Sequence, residues 1–315
     1  MCKLRHPFYS IVCGLWVSLL PAFAQAYTGV TVVLSEQSQS NEAFANALEE
    51  ELSHTHGNKL RHSVKILKPY EKLVIAENSE LVIAVGPQAL EAAARLSHTT
   101  PVLGVQVTVP MLVDAQTNSR RNVENLSAIT MYQPYKRVLA LIEHVLPNKT
   151  KHVGMMVGQS SQHYGEQLKD LAQTKKLTID LTLVNFQSDI ISKLTPLLNS
   201  SDALLTIPDP EIFNRETAAS ILLTSYRAKK PVLGCSQLSV KAGVLAAVYS
   251  DSDQLAKQAA EIAVKSQVAN VPLPEPQPPK YFSVSVNKQV ARMLNIKVLD
   301  ERLLYEKIQA SEMQY

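Results

Sequence analysis

Residues 202–253 read DALLTIPDPEIFNRETAASILLTSYRAKKPVLGCSQLSVKAGVLAAVYSDSD, and this stretch decides the fold class. Residues 203–207 form a short apolar run, which Pro208-Asp209-Pro210 stops. Asn214 is a candidate N-cap for a helix with Ala218, Ile221, Leu222 and Tyr226 on one face. Lys229 and Lys230 suit the negative end of that helix, and Pro231 prevents its continuation. Residues 231–235 and 244–249 read as the next two strands, and Asp253 starts another helix. Ligands of open α/β sheets gather at the carboxyl ends of the strands. The loops 208–211, 236–239 and 249–253 are therefore the first places to look for a site.

Working outward, the same alternation recurs. Residues 30–34 are a β-rich run followed by a Ser/Gln-rich loop, then Asn41 as a cap, with Phe44, Leu48 and Leu52 at helical spacing. Strands are expected over 62–67, 81–85 and 101–107. Gly86-Pro87 opens a helix with proline in its first turn, where a missing N–H is tolerated. Residues 111–124 are polar and weakly patterned and read as an irregular connection. After an extended 128–131, Pro134 opens a helix that turns Val138, Leu141, Ile142 and Val145 inward. A second series then begins: strand 152–157, a cap at Gln159-Ser160-Ser161, a helix bearing Tyr164, Leu168, Leu171 and Ala172, strand 177–184 and helix 190–198. Beyond the quoted stretch, residues 271–279 hold five prolines and read as a stiff extended connector. A last strand over 281–286, a short helix capped by Asn287 and an amphipathic tail from Asp300 complete the chain. The plan of residues 30–52 is echoed at 153–175, which suggests two α/β lobes with their Ser/Gln loops facing across a cleft.

Residues 1–26 have the layout of a cleavable signal peptide: Lys3 and Arg5, an apolar stretch over 8–20, and Ala24-Gln25-Ala26 as the cleavage site. That apolar stretch is shorter than the ~20 residues of a spanning helix. Its removal takes Cys2, Cys13 and Trp16 with it and leaves Cys235 as the one cysteine, so no internal disulfide is expected. Formal charge falls from +3 to about +1, which gives no nucleic-acid footprint. The expected product is an exported protein, not spanning the membrane, of a length suited to two lobes.

No catalytic constellation emerges. Gly158-Gln159-Ser160 resembles half of a nucleophile elbow, but Gln162 stands where the second glycine is required, and Ser160 reads as a cap. No phosphate-cradling glycine loop follows a strand, and the histidines lack metal-ligand spacing. Cys235 lies in an apolar run, and Asp209 between prolines is either a rigid polar turn or a ligand contact. The reading is of a protein that is not an enzyme and uses neither cofactor nor metal.

The stretches ALLTIPDP (203–210), PVLGCSQLSVKAGVLAAVY (231–249), QAAEI (258–262) and KYFSVSVNKQVARML (280–294) resemble ABC-transporter substrate-binding proteins of the tryptophan/tyrosine-binding type. IAVGPQ (83–88) and PVLGVQVT (101–108) match more loosely. The resemblance implies a type 1 periplasmic-binding fold: two Rossmann-like lobes with parallel sheets, joined by three crossings and closing on a ligand. Lobe one would hold 27–127 and 248–274, and lobe two 128–247 and 275–315.

By position, the resemblance places ligand contacts at Ser35, Gln39, Gly86, Pro87, Gln88 and Thr108 in lobe one. In lobe two it places them at Gln159, Ser160, Ser161, Asp209 and Ser236, with Tyr249 near a crossing. Helix starts after Gly86 and Gln159 suit a carboxylate, Asp209 an ammonium, and Tyr249 a stacking or cation–π contact. Asp209→Ala is then expected to weaken ligand binding with little effect on melting. The function implied is delivery of a small, amino-acid-like molecule to an ABC permease. The alternatives are a ligand sensor docking on a membrane sensor protein and, ranked lower, an exported hydrolase using Ser160.

Overall fold

A computed structural model describes residues 28–56, 60–66, 73–74, 79–96, 99–119, 123–267 and 269–313. The signal-peptide reading of residues 1–26 lies outside the described residues. The first series is β1 (Thr28–Leu34), α1 (Gln39–His56), β2 (Leu60–Ile66), β3 (Ser79–Val85), α2 (Pro87–Ala94), β4 (Val102–Val107), α3 (Val109–Ser119) and β5 (Leu126–Thr130). Its five strands run parallel in the order β2-β1-β3-β4-β5. Residues Leu81 to Val85 are buried throughout, as the continuous apolar run demands of a strand covered by helices on both faces.

The second series is α4 (Tyr135–Val145), β6 (His152–Val157), α5 (Gln162–Gln173), β7 (Thr178–Leu183), α6 (Ile190–Ser200), β8 (Ala203–Leu205), α7 (Ala218–Arg227), β9 (Val232–Gly234), α8 (Gln237–Ala242) and β10 (Ala246–Tyr249). Then come α9 (Ser252–Gln267), β11 (Ser283–Val286), α10 (Lys288–Met293) and α11 (Glu301–Met313). The second sheet has the order β11-β10-β9-β8-β6-β7. Each sheet thus repeats one winding: its first strand lies between its second and third, and the rest follow outward. The echo seen in the sequence is this repeated winding. Among the described strands only β11, antiparallel to β10, departs from the parallel expectation.

Four expectations need correction. The connection expected to be irregular over 111–124 is helical over its described residues 111–119: α3 forms because Thr108 caps it, its Oγ1 accepting from Met111 N (3.3 Å) and its carbonyl from Leu112 N (3.1 Å). Only Leu112 and Ala115 of α3 are buried, too few to show a period in the sequence. The loop at 236–239 is the start of α8, where Ser236 Oγ accepts from Ser239 N at 3.1 Å. Asn41 is inside α1 rather than its cap, and Ser38 Oγ accepts from Asn41 N. Asn214 Oδ1 accepts from Glu216 N and Thr217 N, but the helix begins only at Ala218, and Tyr226 on it is 56 % exposed.

The expected lobe boundaries at 127/128 and 247/248 fall inside β5 and β10. Each strand is held whole by its ladder, β5 against β4 and β10 against β9 and β11. The chain therefore leaves the first sheet after Thr130 and the second after Tyr249. Helix α9 follows the second crossing and packs its Leu255, Ala256, Ala259 and Ala263 with Phe44 and Leu48 of α1. The third crossing is the proline connector. Gln277 bonds along the free edge of β5, donating to Ala128 O and accepting from Thr130 N, both at 2.9 Å, before the chain enters β11.

One buried cation ties these crossings together. Arg137 of α4, 4 % exposed, donates from Nη1 to Gln133 Oε1 (2.7 Å) and Pro279 O (2.9 Å), and from Nη2 to Lys280 O (3.3 Å). It also pairs with Glu312 of α11 and lies 4.2 Å from the centroid of the Phe282 ring. Gln133 Nε2 donates to Ser250 Oγ (3.0 Å), which donates to Tyr281 O (2.6 Å). Tyr164 of α5 braces the first crossing from below, donating to Gln133 O and stacking on Tyr132 at 4.4 Å.

Candidate functional site

A cleft of about 900 Å³ opens between the two sheets at the carboxyl ends of their strands. The first lobe lines it with Gln39, Ser40 and Ala43 of α1, Pro87, Gln106 and Met111. The second contributes Pro208, Asp209, Pro210, Phe213, Cys235, Ser236, Gln237, Leu238 and Lys241, and the crossings add Met131, Gln133, Tyr249, Ser250 and Asp251. The wall is apolar at its methionines, prolines, Phe213 and Leu238. Among the described residues its charged groups are two acids, Asp209 and Asp251, and one base, Lys241.

Five of the twelve residues singled out in the sequence meet in this cleft: Gln39, Pro87, Asp209, Ser236 and Tyr249. The other seven do not line it. Ser35 Oγ is spent on the backbone, donating to Val85 O (2.8 Å) and accepting from Ala89 N (2.9 Å), so it caps the start of α2. Gly86 is buried in that turn at φ 87°, and Gln88 is exposed outside the lining. Thr108, 1 % exposed, caps α3. A methyl on Gly86 would meet Ser35 Oγ at 2.6 Å and sit at a φ that side chains rarely adopt. Gly86→Ala is therefore expected to destabilise the fold by about 1–3 kcal/mol, read from chemical denaturation. An unchanged midpoint would show that the turn relaxes.

Gln159, Ser160 and Ser161 form a single 3₁₀ turn ahead of α5, and two carboxylates of the chain itself fill its N-terminal end. Asp209 Oδ2 accepts from Gly158 N (2.7 Å) and from Ser161 Oγ, while its Oδ1 accepts from Glu211 N (2.9 Å). Glu211 accepts from Gln159 N and Ser160 N, both at 3.3 Å, and from the Ser160 hydroxyl. The N–H groups read from the sequence as open to a ligand carboxylate thus face Asp209 and Glu211 instead. Ser160 lies inside the turn and donates its hydroxyl to Glu211 rather than accepting from a backbone N–H, so its reading as a helix cap is corrected: the carboxylates of Asp209 and Glu211 cap this end.

Two ionisable groups near the cleft are held neutral. Burial raises the Cys235 thiol to about 12, with the Asp209 carboxylate adding to the shift. Cys235 stands just past the end of β9 on the cleft wall, so it serves as a small protonated side chain rather than a nucleophile. The Tyr132 phenol is raised by burial and by the carboxylates of Asp209 and Glu211. Its hydroxyl is buried with no hydrogen-bond partner among the described residues.

Sequence reasoning missed Gln106, Met111, Met131, Gln133, Phe213, Leu238 and Asp251. Asp251 and Leu238 lay in or beside loops already singled out. Gln133 precedes the Pro134 helix start, and its role depends on partners far along the chain. Nothing in the local sequence marks Gln106.

A family model described as "ABC transporter substrate binding protein" matches residues 24–310, and the chain belongs to that family. The family is defined by binding rather than turnover. A curated relative, "Tyrosine-binding protein" from Clostridioides difficile (strain R20291), is 21 % identical over 194 residues, 61 % of this chain. The match spans 55 % of that protein's own length. Among solved structures, an ABC domain in complex with L-Trp from Streptococcus pneumoniae aligns with a TM-score of 0.64 at 18 % identity, covering 88 % of this chain and 97 % of that one. The ligand-free, open structure of a substrate-binding protein with adhesive properties from Clostridium difficile aligns with a TM-score of 0.66 at 16 % identity, covering 87 % and 96 %. These likenesses establish the fold: two α/β lobes with mostly parallel sheets, of the type 1 periplasmic-binding pattern. No described helix is long and apolar enough to cross a membrane.

Proposed function

We propose that this chain is the ligand-capturing component of an ABC importer, working in the periplasm after loss of residues 1–26, as a monomer that delivers its ligand to a permease. The observation that carries the reading is the cleft between two like-wound sheets, lined from both and crossed by the three connections. A solute held there touches both lobes, so its binding favours their closure. Lobe one comprises 28–130 with 252–277, and lobe two 131–249 with 278–313. The ligand is small and amino-acid-like: apolar walls at Met111, Met131 and Phe213 take a side chain, and the acids and amides take a polar head. The names of the tyrosine-binding relative and of the L-Trp complex support this class.

The test is a thermal-shift titration of the purified protein with L-tyrosine, L-tryptophan and the other amino acids. At a hundred times its Kd a true ligand adds about 2.7 kcal/mol of stability. The chain has one tryptophan, Trp16, within residues 1–26, so bound L-tryptophan can be followed by its own fluorescence once these are removed. A midpoint that no amino acid moves, but that a sugar or another solute class raises, would overturn the ligand class. A midpoint that no small molecule moves would overturn the binding reading.

A further inference from the structure

We propose that Gln106 is a ligand-contacting residue of the cleft, its side-chain amide presented by a β-bulge at the end of β4. This rests on the cleft being the ligand site and adds a residue that the resemblance did not supply. The β4–β5 ladder slips at this point. Val105 faces Ile129 and Val107 faces Thr130, so Gln106 is the extra residue with no opposite number. A bulge of this kind bends the strand and re-aims a side chain, here onto the cleft wall.

The backbone makes the case stronger. Gln106 has φ 58°, in the left-handed region. The other described non-glycine residues at positive φ are Lys176, Lys229, Asn270 and Asn295. Each of those stands two or three residues past the last residue of a helix, where a left-handed residue satisfies the final carbonyls. Gln106 lies inside β4, one residue before its end, where no helix carbonyls need satisfying. Glycine or asparagine would adopt this conformation at lower cost, so a long amide here is kept against the preference of the backbone.

The amide is also available. Gln133, the neighbouring glutamine of the cleft, is committed to Arg137 and Ser250. Asp209 and Asp251 both accept from backbone N–H groups. The side chain of Gln106 makes no hydrogen bond among the described residues. It therefore offers a donor pair and an acceptor together, which suits a ligand head that carries both, such as the ammonium and carboxylate of an amino acid.

Gln106→Ala removes the amide and keeps the strain, whereas Gln106→Gly removes both. L-Tyrosine and L-tryptophan titrated against the whole protein and both variants should bind each variant about tenfold more weakly than wild type. Without ligand, Gln106→Gly should melt about 2–4 °C above Gln106→Ala. Wild-type affinity in a folded Gln106→Ala overturns the proposal. So does a large fall in its ligand-free midpoint, which would make Gln106 a residue of the fold. If wild type binds no amino acid, the ligand class fails separately and the ligand-free comparison still judges Gln106. A Gln106→Gly protein more stable than wild type then sustains a side chain retained at the expense of stability, and one no more stable overturns it.

Discussion

Arg137→Met is expected to be the most damaging single substitution in the hinge. It strands Pro279 O and Lys280 O at the third crossing, frees the Gln133 amide at the first, and leaves Glu312 without its cation. Breaking a buried pair of this kind costs about 3–5 kcal/mol when one partner is removed. The lower end fits here, since Glu312 keeps some contact with water. Denaturant unfolding of the variant should show that loss, and solution scattering should show a broader distribution of lobe separations. Arg137→Lys should recover only part of it, because a single ammonium cannot reach two crossings and the α11 carboxylate at once. Unchanged scattering and unchanged stability in Arg137→Met would mean that packing of Phe282 and the tyrosine stack suffices to hold the crossings.

Asp209→Ala is expected to lower stability and ligand affinity together. The carboxylate is 3 % exposed and accepts three hydrogen bonds, from Gly158 N, Ser161 Oγ and Glu211 N. Stranding such donors costs on the order of 3 kcal/mol, so the melting midpoint should fall by several degrees. The same change opens the cleft wall and releases the loop that carries Glu211. This replaces the sequence-based expectation of a loss confined to the ligand. Asp209→Asn, which keeps an acceptor oxygen, should be the milder variant in both measurements. A full loss of ligand with an unmoved midpoint would restore Asp209 to a purely ligand-facing role.

The fold was legible in the sequence wherever a short apolar run met a glycine, a proline or a polar cap. Val85-Gly86-Pro87 and Leu205 through Pro210 are such places, and β3, α2 and β8 lie where they were expected. Helix α3 was hidden because its inward face carries only two buried residues while Val109 and Val113 are exposed, which blurs the helical period. At the candidate site the sequence marked strand ends correctly but could not say which polar groups were already spent. Ser35 and Thr108 look like ligand contacts on paper, yet the hydroxyl of each is used on a helix start. Likewise, Glu211 lies 51 residues beyond Ser160 in the chain, and only the folded turn reveals that it occupies that end of α5. A left-handed glutamine leaves no compositional trace, so Gln106 was invisible until its backbone angle was known.

The bond pattern of Gln277 has a mechanical consequence. Because the proline connector is fastened to β5 by two hydrogen bonds, the passage between the sheets begins only after that residue, and Gln258 and Arg137 hold the backbone of residues 278–280 within it. The other two passages are as short: residues 131–134 before α4, and 250–251 before α9. Three short tethers laid side by side between the same two bodies suppress sliding and separation and leave mainly one rotation, like a door on three leaves. Such a door searches little before it shuts. Its halves are already positioned, so a captured molecule has to oppose the entropy of a swing and not that of bringing two free bodies together.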